Sequence, residues 1–351
     1  MDDNSTRVFC GPHARDFLTD RWRYLYRQSP NCTPYQSSEW LLGWLDQQPS
    51  VASPLVLAYF DSNGCALAAL ALARFNDALH PRIAPLSAPM AEYVRPVGPG
   101  AEDPYVAASF LCQLQRLAVD ERVDLTDVPA DSALGLCMSQ ASSGVRLYGS
   151  SPCAHVSLPL DLHSLSRSTR REHRRRERVW VQMATEHDVR YGRTRGPEEL
   201  VDAFRDLCRL HQARWSEQAR LPGVSLSAES QQWETVLKKC PQAFISTIAI
   251  GGSVVAAQLC LQQGDTVFSV IPAMDPAYKN VAVGHALLRA LIADLTSIGA
   301  GTLDLGRTVE GQTYKSQYAP EWSKTLSAQL TPCLSAAQGS GAHESVPWAL
   351  Q

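Results

Sequence analysis

The sequence predicts an α/β protein of two similar domains, each with a mixed, mostly antiparallel sheet flanked by helices. Three observations predict this fold class. Both halves contain two apolar runs joined by a tight turn, both continue into an amphipathic helical pattern, and both then have a short strand. A chain of 351 residues also exceeds the size of most single hydrophobic cores.

The first half begins with the amphipathic stretch SSEWLLGWLDQQ, in which Trp40 and Trp44 fall at helical spacing and are predicted core residues. The runs LVLAYF and CALAALALAR follow. The turn between them, Asp61-Ser62-Asn63-Gly64, is typical of a hairpin. A helical pattern in YVAASFLCQLQRLAVDE and a strand, VDLTDV, complete this half.

The second half repeats that order. Strands AFISTIAI and SVVAAQLCLQQ flank a Gly251-Gly252 turn, and strand TVFSVIPA, helix VGHALLRALIADLTSI and strand TLDLG follow. The repetition predicts duplication of one α/β domain. We place the domains at residues 1–158 and 159–332, and we expect the Gly- and Ser-rich residues 333–351 to form a disordered tail.

Composition excludes several function classes. The net charge of -3 argues against a surface that coats nucleic acid. No uninterrupted apolar run is long enough for a membrane helix and the N-terminus is polar, so we predict a cytoplasmic protein without membrane insertion. The ten cysteines are scattered without a CxxC pair, and no metal site is predicted.

The most charged stretch, STRREHRRRERVW, is expected to form a helix capped by Ser164 or Ser166. Three hypotheses compete for it. The helix is a solvated surface, or Arg171 and Arg174 bind a small anionic ligand or substrate, or its arginines bind the phosphates of tRNA. Aromatic residues are absent until Trp180, which makes the tRNA hypothesis the weakest of the three.

The segment DPAYKNVAVGHALLR places a loop directly before an amphipathic helix, where free backbone N–H groups favour a pyrophosphate. Its part KNVAVG resembles the acyl-CoA loop of GNAT acetyltransferases, which reads Gln or Arg, two residues, Gly, one residue, then Gly or Ala. Lys279 and Ala282 depart from that pattern. The resemblance implies that an acyl-CoA co-substrate is bound by five residues: Lys279, Asn280, Val283, Gly284 and His285.

Four stretches extend the resemblance over about residues 32–331: CTPYQSSEWLLGW, LSRSTRREHRRRER, LCRLHQARW and DLGRTVEGQTYKSQYAP. Their order is similar to that of the BioF2-like, CelD-type branch of GNAT proteins, which is related to the FemAB-type transferases. The resemblance implies two tandem GNAT folds and an N-acyltransferase. It would move an acyl group from acyl-CoA, with acetyl-CoA expected, to an amine on a small molecule or a cell-envelope precursor.

Two rival functions stay open. One is an aminoacyl-tRNA-dependent transferase on the same fold, and the other is a non-catalytic binding protein.

Acyl transfer from a thioester needs an acid for the departing thiolate and a base for the amine. GNAT enzymes often place a tyrosine after the fifth strand, which implies Tyr314 as the acid, with packing as its alternative role. The resemblance implies that Lys315 helps to hold acyl-donor or acceptor charge, as a lysine in this region does in FemAB-like relatives, and an ordinary exposed lysine is the alternative. His211, on a predicted helix with Arg214, is the candidate base, although a structural histidine is the commoner case.

Three further residues are assigned to the substrate. Asp304 and Arg307 bracket the end of a strand, where α/β proteins commonly bind ligands, and a local ion pair between them is the alternative. Tyr93 is assigned to a cleft between the domains by the resemblance alone.

Overall fold

The protein is described here by a computed structural model of residues 5–47, 52–76, 82–86, 88, 90–217, 226–308 and 314–332. The predicted tail, residues 333–351, lies outside these residues. The chain divides into two compact units that are discontinuous in sequence. The first lies within Met1–Cys32, Gln48–Ser150 and Thr325–Gln351, and the second within Thr33–Gln47 and Ser151–Lys324.

The helices that the structure describes are α1 (Gly11–Asp20), α2 (Trp22–Gln28), α3 (Ser38–Gln47), α4 (Pro104–Leu117), α5 (Ala133–Gln140), α6 (Arg167–Glu186), α7 (Pro197–Glu217), α8 (Leu226–Lys239) and α9 (Val283–Ser297). The strands are β1 (Ser5–Cys10), β2 (Ala52–Phe60), β3 (Ala66–Phe75), β4 (Arg82–Pro85), β5 (Arg122–Pro129), β6 (Val145–Ser157), β7 (Val189–Arg193), β8 (Ala243–Ile250), β9 (Ser253–Gln263), β10 (Thr266–Met274), β11 (Thr302–Arg307) and β12 (Glu321–Leu330).

The first unit is built on the predicted hairpin of β2 and β3. At its turn, Oδ1 of Asp61 accepts the N–H groups of Asn63 and Cys65 at 3.0 and 2.7 Å. Strand β1 adds to β2, β4 lies antiparallel to β3 and parallel to β5, and the end of β12 pairs with β5. Helices α4 and α5 pack on this sheet through a core that includes Phe110 and Leu114, both fully buried.

The second unit repeats this arrangement. Strands β8 and β9 form its hairpin, β7 adds to β8, and β10 lies antiparallel to β9 and parallel to β11. Strand β6 pairs antiparallel with β11. Helix α9 buries Leu291 and Leu295 against this sheet, in a core shared with Leu303 and Leu305.

The sixth strand of each unit explains why the units are discontinuous. In the first unit it is the end of β12, from the far end of the sequence. In the second unit it is the end of β6, a strand that follows the first unit's last helix. The predicted contiguous domains, 1–158 and 159–332, therefore differ from the structural units. Strand pairing joins residues that are far apart in the chain, so local sequence patterns do not reveal which strands pair.

Helix α3 provides a second difference, because it packs in the second unit although it precedes most of the first. Trp40 and Trp44 are buried, as predicted, and meet Trp233 of α8. The ring centroids of Trp44 and Trp233 are 4.9 Å apart with an interplanar angle of 87°, an edge-to-face contact. This aromatic cluster holds α3 and α8 together.

Candidate functional site

The candidate site is built around the start of α9. A 3₁₀ segment, Pro276–Val281, precedes it and is capped by Asp275, whose side chain accepts the N–H of Ala277 at 2.9 Å. Ala282 then adopts φ 55° and ψ 39°, a left-handed conformation, and α9 begins at the next residue. Among the described residues, no side chain caps α9. Its first turn therefore presents backbone N–H groups and the positive end of the helix dipole.

Gly284, in this first turn, allows α9 to approach β10 closely. A Cβ atom at this position would lie 3.0 Å from Sδ of Met274 on β10. A side chain here would force the helix start or Met274 to move.

Strands β10 and β11 separate beside α9. Their parallel pairing covers only Thr266–Phe268 and Thr302–Asp304, and β10 has a register irregularity against β9 between Ser269 and Ile271. Because the ladder ends after three residue pairs, space opens between the two strands.

A cavity of about 420 Å³ occupies this region. Four cationic side chains line it, and no Asp or Glu does among the residues that the structure describes. The cations are Arg175, Arg176, Arg214 and Lys279. Apolar side chains, including Met274, Leu287 and Leu288, form other parts of its wall. The cavity thus suits an anionic ligand that also carries an apolar or uncharged portion.

The arginine-rich stretch forms α6, one wall of the cavity. Ser166 caps it, as one of the two predicted choices, by accepting the N–H of Thr169 at 3.1 Å. Arg176 donates from Nε to Glu172 at 2.8 Å and from Nη1 to Oε1 of Gln317 at 2.7 Å. The hydrogen bond from Arg175 lowers the pKa of Glu172 to about 2. Glu172 therefore keeps two cavity arginines in place as a carboxylate.

The arginines that line the cavity are not those that the sequence indicated. Arg171 and Arg174 are exposed and lie outside the cavity wall, whereas Arg175 and Arg176 belong to it. His173 is the one buried residue of α6. Arg176, three residues later, lies on the same face of the helix. Which face packs inward depends on the partner surface, and the arginines alone do not reveal it.

Three buried aromatic side chains meet at the cavity. The hydroxyl of Tyr318 is hydrogen-bonded to Nδ1 of His285, and both residues line the cavity. The ring of His173 lies 4.9 Å from that of His285 and 4.8 Å from that of Tyr318, between centroids. His173 donates from Nε2 to the carbonyl oxygen of Gln317 at 2.7 Å.

Burial makes this group neutral. It lowers the pKa of His285 to about 3, with further lowering from the neighbouring His173 and Arg176, and it raises the pKa of Tyr318. Nε2 of His285 is buried without a hydrogen-bond partner among the described residues. Sequence reasoning named His285 only as part of the loop and missed Tyr318 and His173. The one indication of a role for Tyr318 in the sequence was its place in the stretch DLGRTVEGQTYKSQYAP, which also contains Tyr314.

Tyr314 and Lys315 are neighbours in sequence with different surroundings. Tyr314 lines the cavity and packs against the core of the second unit. Lys315 is 5% exposed and lies outside the cavity wall, and its Nζ donates to the carbonyl oxygens of Gly306, at 3.2 Å, and of Arg307. Lys315 thus ties the segment after Tyr314 to the end of β11.

The predicted substrate residues of β11 are not among the residues that line the cavity. Asp304 is buried, and its Oδ1 accepts the N–H of Gly306 at 2.6 Å while its Oδ2 lies 3.5 Å from Nδ1 of His155. Arg307 is half-buried. Neither lines the cavity, although Leu305 between them does. Side chains alternate between the two faces of a strand, which separates Asp304 from Leu305.

The remaining candidates, His211 and Tyr93, also lie outside the cavity wall. Burial, followed by the charge of Arg214, lowers the pKa of His211 to about 4, so its ring is neutral at pH 7. Arg214, one turn further along α7, does line the cavity. Tyr93 is buried in the first unit with a left-handed φ of 57°.

One family model matches part of the chain. Residues 167–316 match the model of the acetyltransferase (GNAT) domain. The matched GNAT domain includes α6, the loop before α9 and Tyr314. The chain has no significant match among curated protein sequences.

Solved structures share the fold over most of the chain. FemX superposes with a TM-score of 0.61 at 9% identity, covering 90% of this chain and 96% of FemX. The C-terminal domain of a putative lysylphosphatidylglycerol synthetase from Agrobacterium fabrum gives 0.57 at 12% identity, covering 95% and 99%. A tandem GNAT protein from the clavulanic acid biosynthesis pathway gives 0.52 at 14% identity, covering 93% and 100%. These identities show a shared fold, and the predicted α/β fold class with tandem GNAT-like domains is confirmed.

Two features are absent from the residues that the structure describes. No helix there has the length and apolar character needed to cross a membrane. No group of three or more His, Cys, Asp or Glu side chains there is placed to hold a metal ion.

Proposed function

We propose that this protein is a cytoplasmic N-acyltransferase of the BioF2-like, CelD-type branch, which moves an acyl group from acyl-CoA to an amine. Acetyl-CoA is the expected donor. The observation that carries the proposal is the cavity at the start of α9, where four cationic side chains and an uncapped helix N-terminus converge. The match of residues 167–316 to the GNAT acetyltransferase domain supports it.

The cavity residues fit an acyl-CoA. Lys279, Arg175 and Arg176 supply positive charge for its phosphates, and the first turn of α9 supplies N–H donors. The apolar wall at Leu287 and Leu288 suits its uncharged arm. Beyond Phe268, β10 is no longer paired with β11, so backbone groups on that side are open to amides of the arm. When bound, acyl-CoA supplies an acyl carbonyl activated by its thioester.

Within this proposal, Tyr314 is the acid. Its side chain lines the cavity proposed for acyl-CoA, and the resemblance to GNAT enzymes assigns the proton donor for the departing thiolate to a tyrosine after the fifth strand. Tyr318 is a poorer source, because its hydroxyl is hydrogen-bonded to His285 and burial raises its pKa. Asp304 and Arg307 stay as proposed contacts of the amine acceptor, and His211 as a proposed base.

Ligand-induced stabilisation tests the donor. A ligand that binds only the folded state raises the melting temperature by mass action. Acetyl-CoA and CoA at millimolar concentration are expected to raise the melting temperature, and Lys279→Met is expected to make that increase smaller. Arg190→Met is the control, since Arg190 is exposed, paired with Asp188 and outside the cavity. An unchanged melting temperature with every acyl-CoA tested would contradict the proposal.

Turnover tests the acid. Tyr314→Phe is expected to lower release of free CoA thiol in the presence of amines, while stabilisation by CoA stays unchanged. Equal turnover in wild type and variant would remove Tyr314 from this role. Binding of CoA without turnover on any amine would instead favour the non-catalytic alternative.

One alternative donor is favoured by specific observations. FemX shares the fold, and the resemblance of the sequence extends to the FemAB-type aminoacyl transferases. A stripe of exposed arginines also runs along α6. The stripe comprises Arg167, Arg171, Arg174 and Arg178. An aminoacyl-tRNA donor would require tRNA binding that weakens steeply between 50 and 200 mM salt. The likeness to a putative lysylphosphatidylglycerol synthetase fits an acceptor from the cell envelope, whether the donor is acyl-CoA or aminoacyl-tRNA.

Gel-shift titration of tRNA separates the two donors. Arg171→Glu with Arg174→Glu is expected to abolish a tRNA complex but to leave stabilisation by CoA intact, because both residues lie outside the cavity wall.

A further inference from the structure

A second group of reactive side chains lies outside the cavity, in a row across three strands of the second unit. Asp304 of β11 and His155 of β6 are direct partners in the antiparallel register. Nδ1 of His155 is 3.5 Å from Oδ2 of Asp304, and Nε2 of His155 is 2.6 Å from Oγ of Ser323 on β12. The row therefore reads carboxylate, imidazole, hydroxyl.

This row is on the sheet face opposite the core of the second unit. The flanking residues Ala154, Val156, Leu303 and Leu305 are all buried in that core. Alternation along each strand turns His155 and Asp304 to the other face. None of the three members of the row lines the α9 cavity.

Accessibility increases along the row. The Asp304 side chain is 4% exposed and held by the N–H of Gly306, the His155 side chain is 22% exposed, and Ser323 is half-buried. A buried acid that orients an imidazole, which in turn contacts an accessible hydroxyl, is the arrangement of an activated serine nucleophile. In the neutral tautomer that carries its proton on Nδ1, beside Asp304, Nε2 of His155 would accept the proton of Ser323.

We propose that Ser323 is an acyl-accepting nucleophile, with His155 as its base and Asp304 as the residue that orients His155. The substrate class is an activated acyl ester or thioester, and the activity is esterase-like.

The proposed reaction has two balanced steps. Oγ of Ser323 bonds to the acyl carbonyl carbon and its proton passes to Nε2 of His155. The bond from that carbon to the leaving oxygen or sulfur breaks, and His155 returns the proton to the leaving group. Water then attacks the acyl-serine ester with His155 as base, and the free acid departs as Ser323 recovers its proton.

The same sheet face contains a matched control. Ser157 lies two residues after His155 on β6, and its Oγ donates to Oε1 of Glu321 at 2.9 Å. Ser157 is exposed, so it is at least as accessible as Ser323. Its partner is a carboxylate, which is a much weaker base than imidazole at neutral pH. If accessibility alone decided reactivity, Ser157 would react. The arrangement of Asp304, His155 and Ser323 predicts instead that Ser323 reacts.

A fluorophosphonate probe on the full chain tests the proposal. Intact mass and peptide mapping are expected to show one adduct per chain, on Ser323. Ser323→Ala should abolish it, His155→Gln should slow labelling at least 100-fold, and Ser157→Ala should leave it unchanged. Melting temperatures show whether each variant is folded.

No adduct on the wild type, an adduct elsewhere, or equal labelling rates in wild type and His155→Gln would overturn the proposal. The site mapped on the wild type decides the question even where a variant does not fold. These outcomes are independent of stabilisation by CoA, so failure here is distinguishable from failure of the proposed N-acyltransferase.

Discussion

The hydroxyl of Tyr318 is hydrogen-bonded to Nδ1 of His285, and this buried neutral pair forms part of the cavity wall. Both groups are kept uncharged by burial, which lowers the pKa of one and raises that of the other. The pair contributes a fixed hydrogen bond without adding charge to a cavity that already has four cationic side chains.

The first prediction concerns acid stability. The pKa of His285 is about 3 in the folded chain against an ordinary 6.5. Between those values the unfolded chain binds a proton that the folded chain does not, so the free energy of unfolding falls as pH decreases through this window. His285→Gln should make the decline shallower, as measured by urea unfolding at several pH values from 7 to 4.

His163→Gln, at an exposed position, serves as the control and should follow the wild type. If wild type and His285→Gln lost stability in parallel, His285 would not be a source of the acid sensitivity.

The second prediction concerns Ala282. The left-handed conformation costs a residue with a Cβ atom about 1–2 kcal/mol, and a glycine would avoid this cost. Glycine also has more conformational freedom in the unfolded chain, which reduces the gain in stability by about 0.4–1 kcal/mol. Ala282→Gly should therefore raise the free energy of unfolding by about 0.5–1 kcal/mol. Ala282→Val should lower it, because branched residues tolerate positive φ poorly. Denaturant unfolding measures both, and a stabilising valine would contradict the assigned backbone conformation.

The third prediction concerns Lys315. Its Nζ donates to two backbone carbonyl oxygens in a buried setting, so Lys315→Met should cost about 1–3 kcal/mol through unsatisfied acceptors. Lys324→Met, at an exposed position, should change stability by less than about 0.5 kcal/mol. Unchanged stability in Lys315→Met, with lost turnover, would contradict this structural role and support the catalytic role that the sequence predicted.

The fourth prediction concerns the aromatic cluster between α3 and α8. Trp233 is 1% exposed and contacts both Trp40 and Trp44. Trp233→Ala should lower the free energy of unfolding by about 3–5 kcal/mol through the cavity it leaves. The matched control is Trp322→Ala, at a position that is 43% exposed, where the expected loss is smaller because less apolar surface is buried. Similar losses in both variants would show that the cluster does not hold α3 in place.

Local sequence patterns predicted much of the fold. The Asp61 turn, the Gly251-Gly252 turn and the Ser166 cap depend on neighbouring residues in the chain, and the structure contains all three. The loop before α9 was found in the same way, through its resemblance to a known motif. Such features are visible because both partners of each interaction lie within a few residues.

The site residues were harder to predict. Arg171 and Arg174 were chosen from a helical stripe, yet Arg175 and Arg176 line the cavity, because the buried His173 sets the inward face of α6. Tyr318 was missed because its partner, His285, is 33 residues away in the sequence.

The sequence by itself determined the duplicated α/β pattern, the capped arginine helix and the loop that begins α9, since each is encoded by periodicity and short-range hydrogen bonds. Only the tertiary structure decided which strand completes each unit, which arginines face the cavity and that Ser323 meets His155. These contacts join residues far apart in the chain, and the free energy that selects them comes from burial and strand pairing across the folded unit.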